Sequence, residues 1–80
     1  MISLDQAPQG ISLVIEDIRL ASLFDKIHLA SMGLYPQALI SKIRPTPFGD
    51  PMEYLVDNDL LITLENDIAA RIFVSEKGKA

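Results

Sequence analysis

Met52-Glu53-Tyr54-Leu55-Val56-Asp57-Asn58-Asp59-Leu60-Leu61-Ile62-Thr63-Leu64 reads as two short, mostly apolar strands joined by a tight turn. Asp and Asn tolerate positive φ, so Asp57-Asn58-Asp59 suits a hairpin connection. Upstream, Pro45-Thr46-Pro47-Phe48-Gly49-Asp50-Pro51 is a stiff loop, because its three prolines fix φ. Gln37 to Arg44, before that loop, is a further strand. Downstream, Glu65 to Ala70 predicts one helical turn capped by Asn66 or Asp67, and Arg71 to Ser75 a closing strand. At the front, the turn signal Pro8-Gln9-Gly10 precedes a strand over Ile11 to Glu16. Arg19 to Met32 contains no Gly or Pro and predicts a helix, with Ser22 or Asp17 as cap and Gly33 in the left-handed position after its end. Leu20, Leu23, Phe24 and Ile27 share one helical face, whereas Leu29 and Met32 fall off it. The helix is therefore either buried on two sides or broken near His28. Five short strands with one helix after the first predict a mainly β fold, a small and partly open β-barrel. One domain over 1–75 is expected, with a flexible tail over 76–80.

The composition limits the function classes. Leu, Ile, Val and Phe supply 27 of the 80 residues, which excludes disorder. Seven basic against 11 acidic residues give a net charge of −4, so no basic face can be built to neutralise phosphate. The aromatic share of 6% likewise leaves too few rings to stack bases, which argues against an oligonucleotide-binding barrel. With no Cys there is no disulfide, zinc ribbon or iron–sulfur ligation, and a reducing cytoplasm fits best. The longest uncharged stretch, Ile27 to Ser41, is 15 residues and is interrupted by Gly33 and Pro36, too short to span a bilayer. A soluble protein without membrane insertion is expected. No enzyme constellation is found: one His, no Cys, and four widely separated glycines that cannot form a phosphate loop.

Three motifs carry a resemblance. Met32-Gly33-Leu34-Tyr35-Pro36, then Pro47-Phe48-Gly49-Asp50-Pro51, then Leu64 through Ala69 to Ile72-Phe73-Val74 resemble the FeoA family, small accessory proteins of bacterial ferrous iron uptake. The resemblance implies an SH3-like barrel and a role beside the large GTP-driven ferrous iron permease, FeoB, with no catalysis and no cofactor of its own. It marks Gly33, Pro36, Gly49, Asp50 and Pro51 as structural loop residues. Three positions depart from the family pattern. Gln37 replaces the corner Gly, which implies that this turn does not need a glycine-only conformation. His28 and Glu65 stand where the family usually carries basic residues, so any partner contact they make must differ.

The metal readings are weak. His28 and Met32, four apart on a helix, are a soft pair without a third ligand. Glu53, Asp57 and Asp59 read as hard-cation ligands or, far better, as a strand end and a solvated turn. No metal site is assigned. Asp50 is expected to accept backbone N–H bonds and shape its loop. Alternation along the strands is more informative. It places Tyr54, Val56, Ile62, Leu64, Ile72 and Val74 inside. The register implied by the resemblance adds Ile40 and Lys42, with Lys42 near the rim because a buried ammonium is costly. Leu39, Ile43, Leu55, Leu61 and Phe73 are left outside. They are the candidate partner-binding residues, for the permease or for a second copy. The alternative function is a metal-binding regulatory domain that takes ferrous iron or another transition-metal ion.

Overall fold

The computed structural model describes residues 1–77. Six strands form one antiparallel sheet in the order β1-β6-β2-β3-β4-β5. They are β1 (Ile2–Ser3), β2 (Ser12–Ile18), β3 (Leu39–Pro45), β4 (Met52–Val56), β5 (Leu60–Leu64) and β6 (Ile72–Glu76). The sheet is not closed, since β1 and β5 are not paired with each other. One helix of length, α1 (Leu23–Ser31), follows β2, and a single turn, α2 (Asn66–Ala69), precedes β6. This is the expected mainly β architecture, with an additional two-residue strand at the front.

The hairpin forms as read. Val56 pairs with Leu60 and Met52 with Leu64. Asp57 and Asn58 take φ of 55° and 57°, the left-handed values of a primed hairpin turn. The inward set is Leu13, Ile15, Ile40, Tyr54, Val56, Leu64, Ile72 and Val74, all buried in one cluster, with Ile62 half-buried against it.

Residues 1–7 pack against β6 and α2. Ile2 and Ser3 pair with Val74 and Phe73, and a 3-10 turn over Leu4–Gln6 follows, with Leu4 and Ala7 buried. Lys42 holds this segment in place. It is buried rather than at the rim, and its Nζ donates to the carbonyls of Asp5 (2.6 Å) and Ala7 (3.2 Å). At the other terminus, β6 runs through Glu76 and the Lys77 amide donates to the Ser12 carbonyl, so the sheet holds two residues of the expected tail. The rest of that tail, 78–80, lies outside the described residues.

Gln37 corrects an expectation. Its φ is +80°, so the corner does adopt the conformation that favours glycine. Tertiary pairing imposes it: Gln37 N donates to the Ile15 carbonyl (2.7 Å) and Ile15 N to that of Ala38 (2.9 Å). A side chain in this region costs about 1–2 kcal/mol, partly offset by the greater entropy that glycine gives the unfolded chain. Gln37→Gly is therefore expected to stabilise the fold by about 0.5–1 kcal/mol, measured as a higher urea midpoint at unchanged slope.

Helix α1 is unbroken and buried on one side, but not on the face the stripe marks. Ser22 caps it, its Oγ accepting from Asp25 N at 3.3 Å. Its end fixes its orientation. Leu34 N donates to the Leu29 carbonyl and Gly33 N to that of Ala30 (both 3.0 Å), with Gly33 at φ +87°. That is a Schellman ending, which normally joins an apolar residue just past the helix to one in its last turn. Here those residues are Leu34 and Leu29, at 0% and 4% exposure. Leu23, Phe24 and Ile27 consequently face solvent, at 71%, 78% and 60%.

Candidate functional site

The outer face of the sheet brings some of the candidate residues together. Ser12, Ser41, Leu55 and Leu61 lie in one row across β2, β3, β4 and β5. Val14 and Leu39 form the neighbouring row. Residues directly and diagonally opposite touch across a sheet, so Val14, Leu39, Leu55 and Leu61 are one apolar strip around Ser41. Leu61 is exposed, while the other three are half-buried. Ile43 sits at the irregularity between Lys42 and Arg44, beside the Arg44–Glu53 ion pair of 2.8 Å. Phe73 lies on β6, opposite Asp17 and Ser3, under the Arg19 guanidinium at 4.2 Å from the ring centroid. Arg19 also holds Asp17 at 2.9 Å, and that bond keeps the Asp17 carboxyl below its ordinary value.

The loop residues act on distant elements. Asp50 accepts a backbone N–H from outside its own loop: its Oδ1 accepts from Asn66 N at 2.9 Å and so caps α2, where Glu65 offers no side-chain bond. Gly49 has φ +84° and bonds back to the Thr46 carbonyl, and Pro51 follows a cis peptide bond. A Cβ on Gly33 would lie 3.0 Å from Val56 Cγ1. Pro36 lines a cleft with Tyr35 beside α1.

A second cleft, about 370 Å³, opens between α1 and the β5–α2 corner. Its apolar lining includes Leu29, Met32, Leu64 and Ile68, and Asp25, His28 and Glu65 also border it. His28 and Met32 are thus together in a cleft, and Glu65 joins them, so two of the departures from the family pattern border one surface without a Lys or Arg in its lining. Glu53 and Asp57 stand at opposite ends of β4 and make no common site. Among the described residues no group of three or more His, Cys, Asp or Glu is placed to hold a metal. Tyr54 is wholly buried. Its burial, then the charges of Asp5 and Asp50, push the phenol up to about 12, so it stays neutral. No helix among the described residues is long and apolar enough to cross a membrane.

Reasoning from the sequence missed the exposed stripe of α1. The signal was present in Leu29-Ala30-Ser31-Met32-Gly33-Leu34, whose Schellman spacing outranks the stripe.

Comparison with known proteins matches a FeoA domain model to residues 2–76. The solution structure of iron(II) transport protein A from Clostridium thermocellum is similar at 26% identity and a TM-score of 0.82, covering 96% of this chain and 46% of that one. This chain thus spans about half the length of that relative. FeoA from Chlorobium tepidum gives 25% identity and a TM-score of 0.83 over 96% of this chain and 71% of that one. The zinc-complexed FeoA of Stenotrophomonas maltophilia, a prokaryotic SH3 domain protein, shares the fold at 22% identity, with a TM-score of 0.74 over 94% and 91% of the two chains. No curated protein matches.

Proposed function

This chain belongs to the FeoA family, and from that premise we propose that it is a non-enzymatic accessory protein of ferrous iron uptake. It docks on the cytoplasmic part of a FeoB-type, GTP-driven iron permease and modulates it at the inner face of the membrane. The observation that carries the reading is the family match across residues 2–76. The strip Val14–Leu39–Leu55–Leu61 supports it as the contact surface, since contiguous exposed apolar area marks interaction sites. Phe73, on the neighbouring strand β6 and stacked under Arg19, lies at the β2 edge of that strip.

The test is co-purification with the permease. The double substitution Leu55→Glu, Leu61→Glu puts two charges on one cross-strand pair. It is expected to weaken binding at least ~100-fold, because burying unpaired carboxylates costs several kcal/mol. Undiminished capture of the permease by a folded double variant rejects this face. Absence of capture by the unmodified protein rejects the docking reading itself.

A further inference from the structure

The exposed face of α1 is self-complementary. At about 100° per residue, Leu23, Phe24, Ile27, Ala30 and Ser31 share the side opposite Leu29, and all five are exposed. The large side chains occupy the first turn, Ile27 the middle, and the small ones the last turn. About Ile27 the order is a mirror: Leu23 matches Ser31, and Phe24 matches Ala30. A two-fold axis near Ile27 that sets two copies of α1 antiparallel therefore packs large against small at both ends. A parallel pairing would set Phe against Phe and leave a gap at Ala30. Room exists beside the small end, where a cleft of about 370 Å³ is lined by Ile27, Ala30, Leu34, Tyr35 and Pro36.

The charges permit the same contact. The chain carries a net −4, which opposes self-association in general. Yet the five stripe residues carry no charge, and the cleft beside them is bordered by one carboxylate, Asp17, and one cation, Lys26. Antiparallel two-fold packing keeps each flank on its own side, so the Lys26 edges of the two copies run together, with each Asp17 already paired with its own Arg19 at 2.9 Å. Asp25 faces the other cleft, behind the helix.

We infer that the outward face of α1 is a homodimer contact, two copies packing Leu23, Phe24 and Ile27 of one helix against Ile27, Ala30 and Ser31 of the other. Such a contact is isologous. A helix of nine residues spans only about 13 Å, so the interface is smaller than a standard one and the dimer is weak. This face is distinct from the sheet strip proposed to meet the permease.

Sedimentation velocity on the full chain, from about 10 µM to about 1 mM, is expected to show the mass moving from one copy towards two. Phe24→Glu should raise the dissociation constant at least ~10-fold, the direction expected when a charge is buried. Ala30→Phe should weaken the dimer equally, because it removes the small partner of Phe24. A non-specific apolar contact would instead be tightened by it. Leu61→Glu, on the sheet face, should leave the dimer's dissociation constant unchanged. All three side chains are exposed, and circular dichroism checks that the variants fold. Monomer throughout the range overturns the inference, as does a dimer that survives Phe24→Glu, is tightened by Ala30→Phe, or is lost with Leu61→Glu.

Discussion

Replacing Lys42 with alanine is expected to destabilise the protein by about 3 kcal/mol, which at this size corresponds to a loss of roughly 12–24 °C in melting temperature. Lys42 is 6% exposed, and its ammonium donates to the Asp5 and Ala7 carbonyls. A hydrogen bond to a charged group contributes about 1.5–3 kcal/mol, and the buried stem adds about 0.8 kcal/mol per methylene. Against this stand the cost of desolvating the ammonium and up to ~2 kcal/mol of side-chain entropy. The balance favours lysine because the two carbonyls are left without these donors once it is gone. Lys42→Met keeps most of the stem and should cost only about 1 kcal/mol. Urea unfolding of both variants separates the contributions. If both stay within about 0.5 kcal/mol of the parent, the clamp on residues 4–7 contributes nothing to stability.

The second large effect is at Gly33. Gly33→Ala is expected to cost about 2–4 kcal/mol, and Gly49→Ala about 1–2 kcal/mol. Both glycines have φ near +85° (+87° and +84°), so the backbone penalty is common to them. They differ in surroundings. A Cβ on Gly33 would meet Val56 Cγ1 at 3.0 Å, and Val56 is a core residue at 3% exposure. A Cβ on Gly49 meets nothing within 4 Å. The difference between the two unfolding free energies therefore measures the approach of the α1 ending to β4. Equal losses at both positions would show that Val56 yields without cost and that only φ matters.

How far the sequence could be read depended on whether a feature was local. The β4–β5 hairpin was legible to the residue, since alternation and the Asp-Asn-Asp turn lie within thirteen consecutive positions. Gly33 as terminator was legible for the same reason, while Ser22 was one of two caps offered and the helix starts at Leu23 rather than Arg19. Strand β1 was not, because two residues have no periodicity and pair only with β6, at the far end of the chain. The ligand of α2 was not, because Asp50 reaches it across sixteen positions. Gln37 misled because its own identity argued against a conformation that its hydrogen bond to Ile15 imposes. The candidate surface was half legible. Alternation found Leu39, Leu55, Leu61 and Phe73 as outward residues, but only the register added Val14 between Leu39 and Phe73 and joined them in one strip.

The ending of α1 has a consequence for how this chain can change. Leu29 and Leu34 attach the helix to the core, and Leu23, Phe24 and Ile27 take no part in that attachment. Two sets of residues, one after the other within twelve positions, thus answer to separate demands. Substitutions in the first are paid in folding energy. Those in the second leave the fold intact and alter only what the helix meets, so drift can remodel the contact without passing through an unfolded intermediate.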